Sequence, residues 1–154
     1  MMYRNILTFC ALFAPVAGHA ASAVALSSAV FVERILPDGN GRSKTILQAP
    51  TIVAPGDRLV FILSYHNEGQ GPANSFVVTN PMPSAVAYQG AADSNAEVSI
   101  DGGKDWGMLA SLKVLEEGRW RSARPEDVTH VRWALKQSIP AGAQGKLSFR
   151  GIVR

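Results

Sequence analysis

In two segments near the end of the chain, 130–136 and 146–153, predicted inward-facing residues alternate regularly with outward-facing ones. Their inward positions are Val131, Trp133, Leu135, Leu147, Phe149, Gly151 and Val153. A period of two is typical of strands with one buried and one solvated face, hence of antiparallel sheets. The residues between them, 138–143, contain Pro140 and Gly142, and we therefore predict that the two strands form a hairpin.

The segment Leu59–Tyr65 carries apolar residues on both of its faces. Leu59, Phe61, Leu63 and Tyr65 share one face, while Val60 and Ile62 lie on the other. A strand that is apolar on both faces is expected in the middle of a sheet.

Shorter runs with turn residues between them complete the pattern. The only helical signal is at residues 125–128, where Pro and acidic residues predict a single turn. This many short strands predicts an all-β fold, an antiparallel β-sandwich. The additional predicted strands are Val30–Ile35, Thr45–Gln48, Phe76–Thr79, Val86–Gln89, Glu97–Ile100 and Leu109–Val114.

The first 23 residues have the pattern of a cleavable signal peptide. Arg4 precedes the apolar stretch Ile6–Ala17, and small residues follow it. Cleavage after Ala20 and cleavage after Ala23 both fit. We therefore expect residues 1–23 to be a leader and residues 24–154 to be a single domain. The apolar stretch is too short to span a bilayer comfortably, and we expect no transmembrane segment in the mature chain.

Charge and cysteine content give no sign of nucleic-acid binding or of a disulfide. The formal charge of this 154-residue chain is only +3 and is spread along it, so nothing indicates nucleic-acid binding. The single cysteine, Cys10, lies in the predicted leader. An exported domain without cysteine has no disulfide, and a hydrophobic core must hold it together.

The run from Pro55 to Pro83 carries a recognisable motif. Its parts are Pro55-Gly56, the strand Leu59–Tyr65, Asn67 and Gly69, Pro72-Ala73, Val77-Val78 and Asn80–Pro83. This motif resembles the conserved-repeat domain known as domain of unknown function eleven, in which Asp is more frequent at the position of Asn80. The resemblance implies an immunoglobulin-like sandwich, exported to the bacterial envelope, and it implies no catalytic residues.

The segment Ser99–Trp106 resembles the Asp-box hairpin of sialidases and similar propellers, with Asp105 in the place of a Thr. In that motif Asp101 would bind backbone amides of a tight turn while the tryptophan packs beneath it. The alternative is a calcium site on Asp101 and Asp105. Two carboxylates supply too few oxygen ligands for a calcium ion. We therefore expect the turn and no metal or other cofactor.

Basic residues mark the solvated face of the predicted C-terminal hairpin. Arg132 would face Arg150 and Lys136 would face Lys146, with His130 beside them. Two explanations stay open: an anionic partner such as an envelope polysaccharide or lipid phosphate, or charges that keep exposed strands soluble and prevent edge-to-edge pairing. Trp120, between two arginines, is the further candidate for a ligand or partner contact.

The sequence offers little for catalysis. Its only imidazoles outside the leader are His66 and His130, and neither lies in a recognisable triad setting. We therefore expect a non-catalytic structural or interaction module of the bacterial cell envelope, periplasmic or at the cell surface. The alternative is a small carbohydrate- or anion-binding module that uses the basic face. Its partner would be an envelope protein or an anionic polysaccharide.

Overall fold

A computed structural model describes residues 24–154; the predicted signal peptide lies outside the described residues. In residues 24–154 strands predominate, and the only helical elements are two 3₁₀ turns, Leu109–Ser111 and Pro125–Asp127. The second turn is where a single helical turn is predicted. The strands are β1 (Val24–Pro37), β2 (Ser43–Gln48), β3 (Arg58–Asn67), β4 (Val77–Pro81), β5 (Val86–Ala91), β6 (Ala96–Ser99), β7 (Lys113–Glu116), β8 (Arg119–Ser122), β9 (His130–Ala134) and β10 (Gln144–Val153).

The strands form two sheets and one separate hairpin. The large sheet has the order β2-β1-β3-β10-β5, the small sheet has the order β4-β9-β6, and β7 pairs with β8. All of these pairings are antiparallel, as the alternating pattern predicts. The all-β, antiparallel prediction is therefore confirmed for the described residues.

One hydrophobic core lies between the two sheets. Trp133 of the small sheet is completely buried, and its ring centroid lies 6.0 Å from that of Phe149 in the large sheet. Phe149 in turn stacks on Phe61 at 4.4 Å between centroids. Because side chains of both sheets belong to one buried cluster, the arrangement is sandwich-like, with the aromatic residues at its centre.

Strand β3 has the central position predicted for it. It pairs with β1 on one side and with β10 on the other. Leu59, Phe61 and Leu63 face the core, while Val60 is buried on the opposite face of the sheet. The two-sided apolar pattern thus identifies the middle of the large sheet correctly.

The predicted C-terminal hairpin is wrong. Strand β9 pairs with β4 and β6 in the small sheet, whereas β10 pairs with β3 and β5 in the large one. Residues 135–143 cross from one sheet to the other, and Ile139 is held on the way by two backbone hydrogen bonds with Ala73. An alternating pattern defines which face of a strand is buried; it does not define the neighbouring strand.

Two further differences concern the middle of the chain. The predicted strand Leu109–Val114 is instead a 3₁₀ turn followed by β7. Strand β8, which contains Trp120, lies in a region where the pattern predicts no strand.

Within residues 24–154 no helix has the length and apolar character needed to cross a membrane.

Candidate interaction surface

The hairpin formed by β7 and β8 pairs with neither sheet. Its strands are joined by Glu117 and Gly118, which have φ angles of 50° and 77°. Positive φ at both central residues is typical of a type I′ turn, whose twist matches that of antiparallel strands. Glu116 therefore faces Arg119, and Leu115 faces Trp120.

Arg121 determines which side of the hairpin faces the rest of the molecule. Its guanidinium donates to Glu116 Oε2 at 2.7 Å and to both carboxylate oxygens of Asp127, at 2.6 and 2.9 Å. Asp127 belongs to the second 3₁₀ turn, where its carboxylate also accepts the Arg124 amide. The face of the hairpin that carries Arg121 is thereby fixed to this turn.

These contacts also change the acidity of the groups involved. The Arg121 guanidinium holds the pKa of Asp127 below its ordinary value of 3.8, with a further contribution from the Arg124 amide. It lowers the pKa of Glu116 in the same way, and the two carboxylates together raise the pKa of Arg121. All three groups are therefore held in their charged forms near neutral pH.

The opposite side of the hairpin points to solvent and carries two large apolar side chains. Trp120 is 68% exposed and Leu115, directly across from it, is 56% exposed. Lys113 and Ser122 form the next pair on this side and are also exposed. We call these four residues the hairpin face. Trp120, the candidate contact of the sequence analysis, is thus exposed, but its partner Leu115 is missed there because strand β8 is not predicted.

The segment Ser99–Trp106 forms the predicted turn. One carboxylate oxygen of Asp101 accepts the Lys104 and Asp105 amides, and the buried Ser99 hydroxyl donates to it at 2.7 Å. These bonds, the Ser99 hydroxyl first, lower the pKa of Asp101. The Trp106 indole closes the turn by donating to the Gly103 carbonyl at 2.9 Å. Within residues 24–154 no group of three His, Cys, Asp or Glu side chains is placed to hold a metal ion.

Trp106 also covers part of the outer face of the small sheet. The guanidinium carbon of Arg132 lies 4.2 Å from the centre of the indole ring, and Arg132 Nη2 donates to Glu97 Oε2 at 2.6 Å. His130 meets the edge of the same ring at 6.3 Å between centroids, and its Nδ1 is 3.1 Å from the Thr129 hydroxyl. Arg132 is thus both stacked and paired with a carboxylate.

The basic residues predicted to share one face are dispersed. Arg132 points outward from the small sheet and Arg150 points outward from the large one, because each alternates with residues of the core. Arg150 approaches Glu33 at 3.7 Å. Lys136 lines a hollow of about 430 Å³ with Tyr65 and Ile139. Lys146 lines another, of about 640 Å³. The predicted pairs Arg132–Arg150 and Lys136–Lys146 therefore do not form.

Comparisons with known proteins give no assignment. No protein-family model matches the sequence, and neither the curated proteins nor the solved structures contain a significant match.

Proposed function

We propose that this protein is a non-catalytic interaction module, exported to the bacterial cell envelope, whose hairpin face binds a partner protein. The observation that carries the proposal is the exposed pair Trp120 and Leu115, held toward solvent by the Arg121 anchor on the other side. Tryptophan is enriched among the residues that contribute most to interface affinity. A contiguous apolar pair on a fixed support is a surface that a partner would bury.

The proposal includes an immunoglobulin-like form of the sandwich. It is supported by two antiparallel sheets around one core, by connections that change sheet, and by the motif from Pro55 to Pro83. Export is supported by the pattern of residues 1–23. Terminal sequencing of the protein from envelope fractions should find Ala21 or Val24 as its first residue. An uncleaved chain confined to the cytoplasm would contradict export.

The surroundings of the two histidines in residues 24–154 support a non-catalytic role. His66 is exposed near the end of β3, and its Nδ1 lies 3.8 Å from the carboxylate of the exposed Glu68. His130 faces the Thr129 hydroxyl, but that hydroxyl already donates to the Ser99 carbonyl and accepts the Gly102 amide. A nucleophile needs a hydroxyl that is free to give its proton to the base and then attack a substrate.

Site-specific photo-crosslinking in the source cells tests the proposal. A photoreactive residue at Ser122, on the hairpin face, should give one dominant adduct, and Trp120→Ala should abolish it. The same photoreactive residue at Asn40, in the exposed turn between β1 and β2, is the matched control. No adduct from Ser122, or the same adducts from Asn40, would contradict the proposal.

Binding of an anionic envelope polysaccharide through Trp120 is the second candidate. The flat, exposed indole favours it, as does the exposed Lys113 on the same side of the hairpin. Arg132 and Arg150 lie on opposite outer faces, so this binding would be centred on the hairpin instead of the predicted basic face. Tryptophan fluorescence titrated with such a glycan should then change with a steep salt dependence, and Trp120→Phe should remove the change.

A further inference from the structure

The edges of the two sheets are protected to different degrees. Strand β5, at one edge of the large sheet, has a register irregularity in its pairing with β10, and the second 3₁₀ turn packs against this strand. The β6 edge is covered by two backbone hydrogen bonds between Val98 and Gly107. Strand β4 ends in Pro81, which cannot donate to a further strand. Each of these features disfavours pairing with another chain.

Strand β2, at the other edge of the large sheet, has none of these features. Its sequence, Ser-Lys-Thr-Ile-Leu-Gln, contains neither proline nor glycine and only one charge, that of Lys44. The surface around it is apolar as well. Five of the ten exposed large hydrophobic residues among residues 24–154 fall between positions 35 and 53: Ile35, Leu36, Leu47, Ile52 and Val53.

We propose that β2 pairs with β2 of a second copy of this chain, antiparallel and about a two-fold axis at Ile46. A two-fold axis perpendicular to the sheet preserves its faces, so only positions of equal parity can face each other. With the axis at Ile46, this residue faces its own copy and Thr45 faces Leu47. Lys44 then faces Gln48, and the two lysines lie at opposite ends of the pairing.

The neighbouring registers fit less well. With the axis at Thr45, the Lys44 ammonium would face Ile46 of the second copy, which places a cation against an aliphatic side chain. With the axis at Leu47, Ile46 would face Gln48 and the strand ends would overlap less. The Ile46 register joins the two large sheets into one sheet of ten strands and leaves no like charges opposite each other. This proposed pairing of β2 is independent of the function proposed for the hairpin face.

Cysteine crosslinking tests the pairing and its register. In the full chain with Cys10→Ser, Ile46→Cys introduces the only thiol. Facing residues of antiparallel strands have Cα atoms about 4.5–5.5 Å apart, which is within the range of a disulfide. Oxidation should therefore give a disulfide-linked dimer on a non-reducing gel. Val77→Cys, also exposed on an edge strand, is the matched control and should stay monomeric.

Sedimentation measures the association without a crosslink. The parent chain should dimerise between micromolar and millimolar concentration, and Ile46→Lys, which places two ammonium groups at the axis, should raise the dissociation constant at least about tenfold. Val77→Lys should leave it unchanged, and thermal unfolding verifies that both variants are folded. A monomer over the whole range, an unchanged dimer in Ile46→Lys, or crosslinking at Thr45→Cys in preference to Ile46→Cys would each overturn the proposal. If instead Trp120→Ala alone dissociates a dimer, the contact is made by the hairpin face and the β2 pairing is wrong.

Discussion

The Asn67 side chain links the turn that follows β3 to a segment that is distant in sequence. Its amide donates to the carbonyls of Gly71 and Ile139, at 2.9 and 2.8 Å, and its carbonyl oxygen accepts the Gly69 amide at 3.0 Å. Asn67 is 1% exposed, so water cannot replace these partners. The Asn-x-Gly part of the sequence motif thus has a structural role, since it holds the end of β3 against the crossing segment.

Replacing Asn67 tests that role. Asn67→Ala removes three hydrogen bonds, one of them fully buried, at about 0.5–1.5 kcal/mol each, and we expect a loss of about 2–4 kcal/mol in the free energy of unfolding. Asn74→Ala, at an exposed position nearby, should change it by about 0.5 kcal/mol or less. Urea unfolding followed by tryptophan fluorescence measures both. Equal effects in the two variants would contradict the structural role.

Asp127 gives the stability of this protein a predictable dependence on pH. Its pKa in the folded state is below the ordinary value, chiefly because of Arg121, so the folded state favours the carboxylate. The stabilisation is present above the unfolded pKa, about 4, and is lost as the pH falls through the lower folded pKa. Asp127→Asn should therefore lower the unfolding temperature at pH 6 and have progressively less effect toward pH 2.5. An effect that grows on acidification would contradict this assignment.

At the scale of the strands, the alternating pattern predicts which residues form a strand better than it predicts which strands pair with each other. The two-sided apolar segment Leu59–Tyr65 is found in the middle of the large sheet, as predicted. The strands β9 and β10 are also correct as strands, yet their pairing is not. The buried faces of these two strands meet across the core, where Trp133 contacts Phe149. Two strands in facing sheets and two strands in one hairpin have the same alternation of buried and exposed residues, so the pattern cannot distinguish the two arrangements.

The candidate surface shows the same limit. Its arginine neighbours mark Trp120 as a candidate contact, whereas the pairing with Leu115 depends on a turn at Glu117-Gly118 that lacks the usual Asn-Gly signal. The Asp101 turn could be predicted because all its partners lie within a few residues. The stacking of Arg132 on Trp106 could not, because it joins residues of different segments.

The turn of the β7–β8 hairpin contains a strained residue. Glu117 has a φ of 50°, a conformation that costs most side chains about 1 kcal/mol or more and that Asn tolerates better. Glu117→Asn should make local opening of the hairpin rarer, so that its amides exchange with deuterium about two- to fivefold more slowly. Glu126→Asn, which changes the same charge where no positive φ is found, is the control. Unchanged amide exchange in Glu117→Asn would contradict the inference that Glu117 is strained.

The approach of β5 to β10 requires a glycine. A Cβ atom at Gly151 would collide with the Val86 side chain and lie 3.2 Å from the Ala87 carbonyl oxygen. Gly151→Ala should therefore cost about 1–3 kcal/mol in the free energy of unfolding, measured in urea. Gly39→Ala, where a Cβ would meet nothing within 4 Å, should be near neutral. A neutral Gly151→Ala would mean that the two strands can move apart at little cost.

At the scale of the whole molecule, stability should be distributed unevenly. Strands β3 and β10 are paired on both sides and contribute much of the buried core, while β7 and β8 pair only with each other. Residues 24–154 contain no cysteine, so noncovalent contacts alone hold the sheets together. Among hydrogen-bonded amides, exchange should therefore be slowest in β3 and β10, where it requires global unfolding, and fastest in the β7–β8 hairpin.

The same measurement relates the proposed dimer to the molecule that forms it. In a monomer, amides of β2 that point away from β1 have no acceptor and exchange quickly; in the proposed ten-stranded sheet they are bonded to the second copy. Protection of β2 should thus rise with protein concentration while that of the hairpin stays constant. Ile46→Lys should abolish the rise without changing the protection of β3 and β10. A rise that includes the hairpin would place the contact between copies at Trp120 and Leu115 instead of the sheet edge.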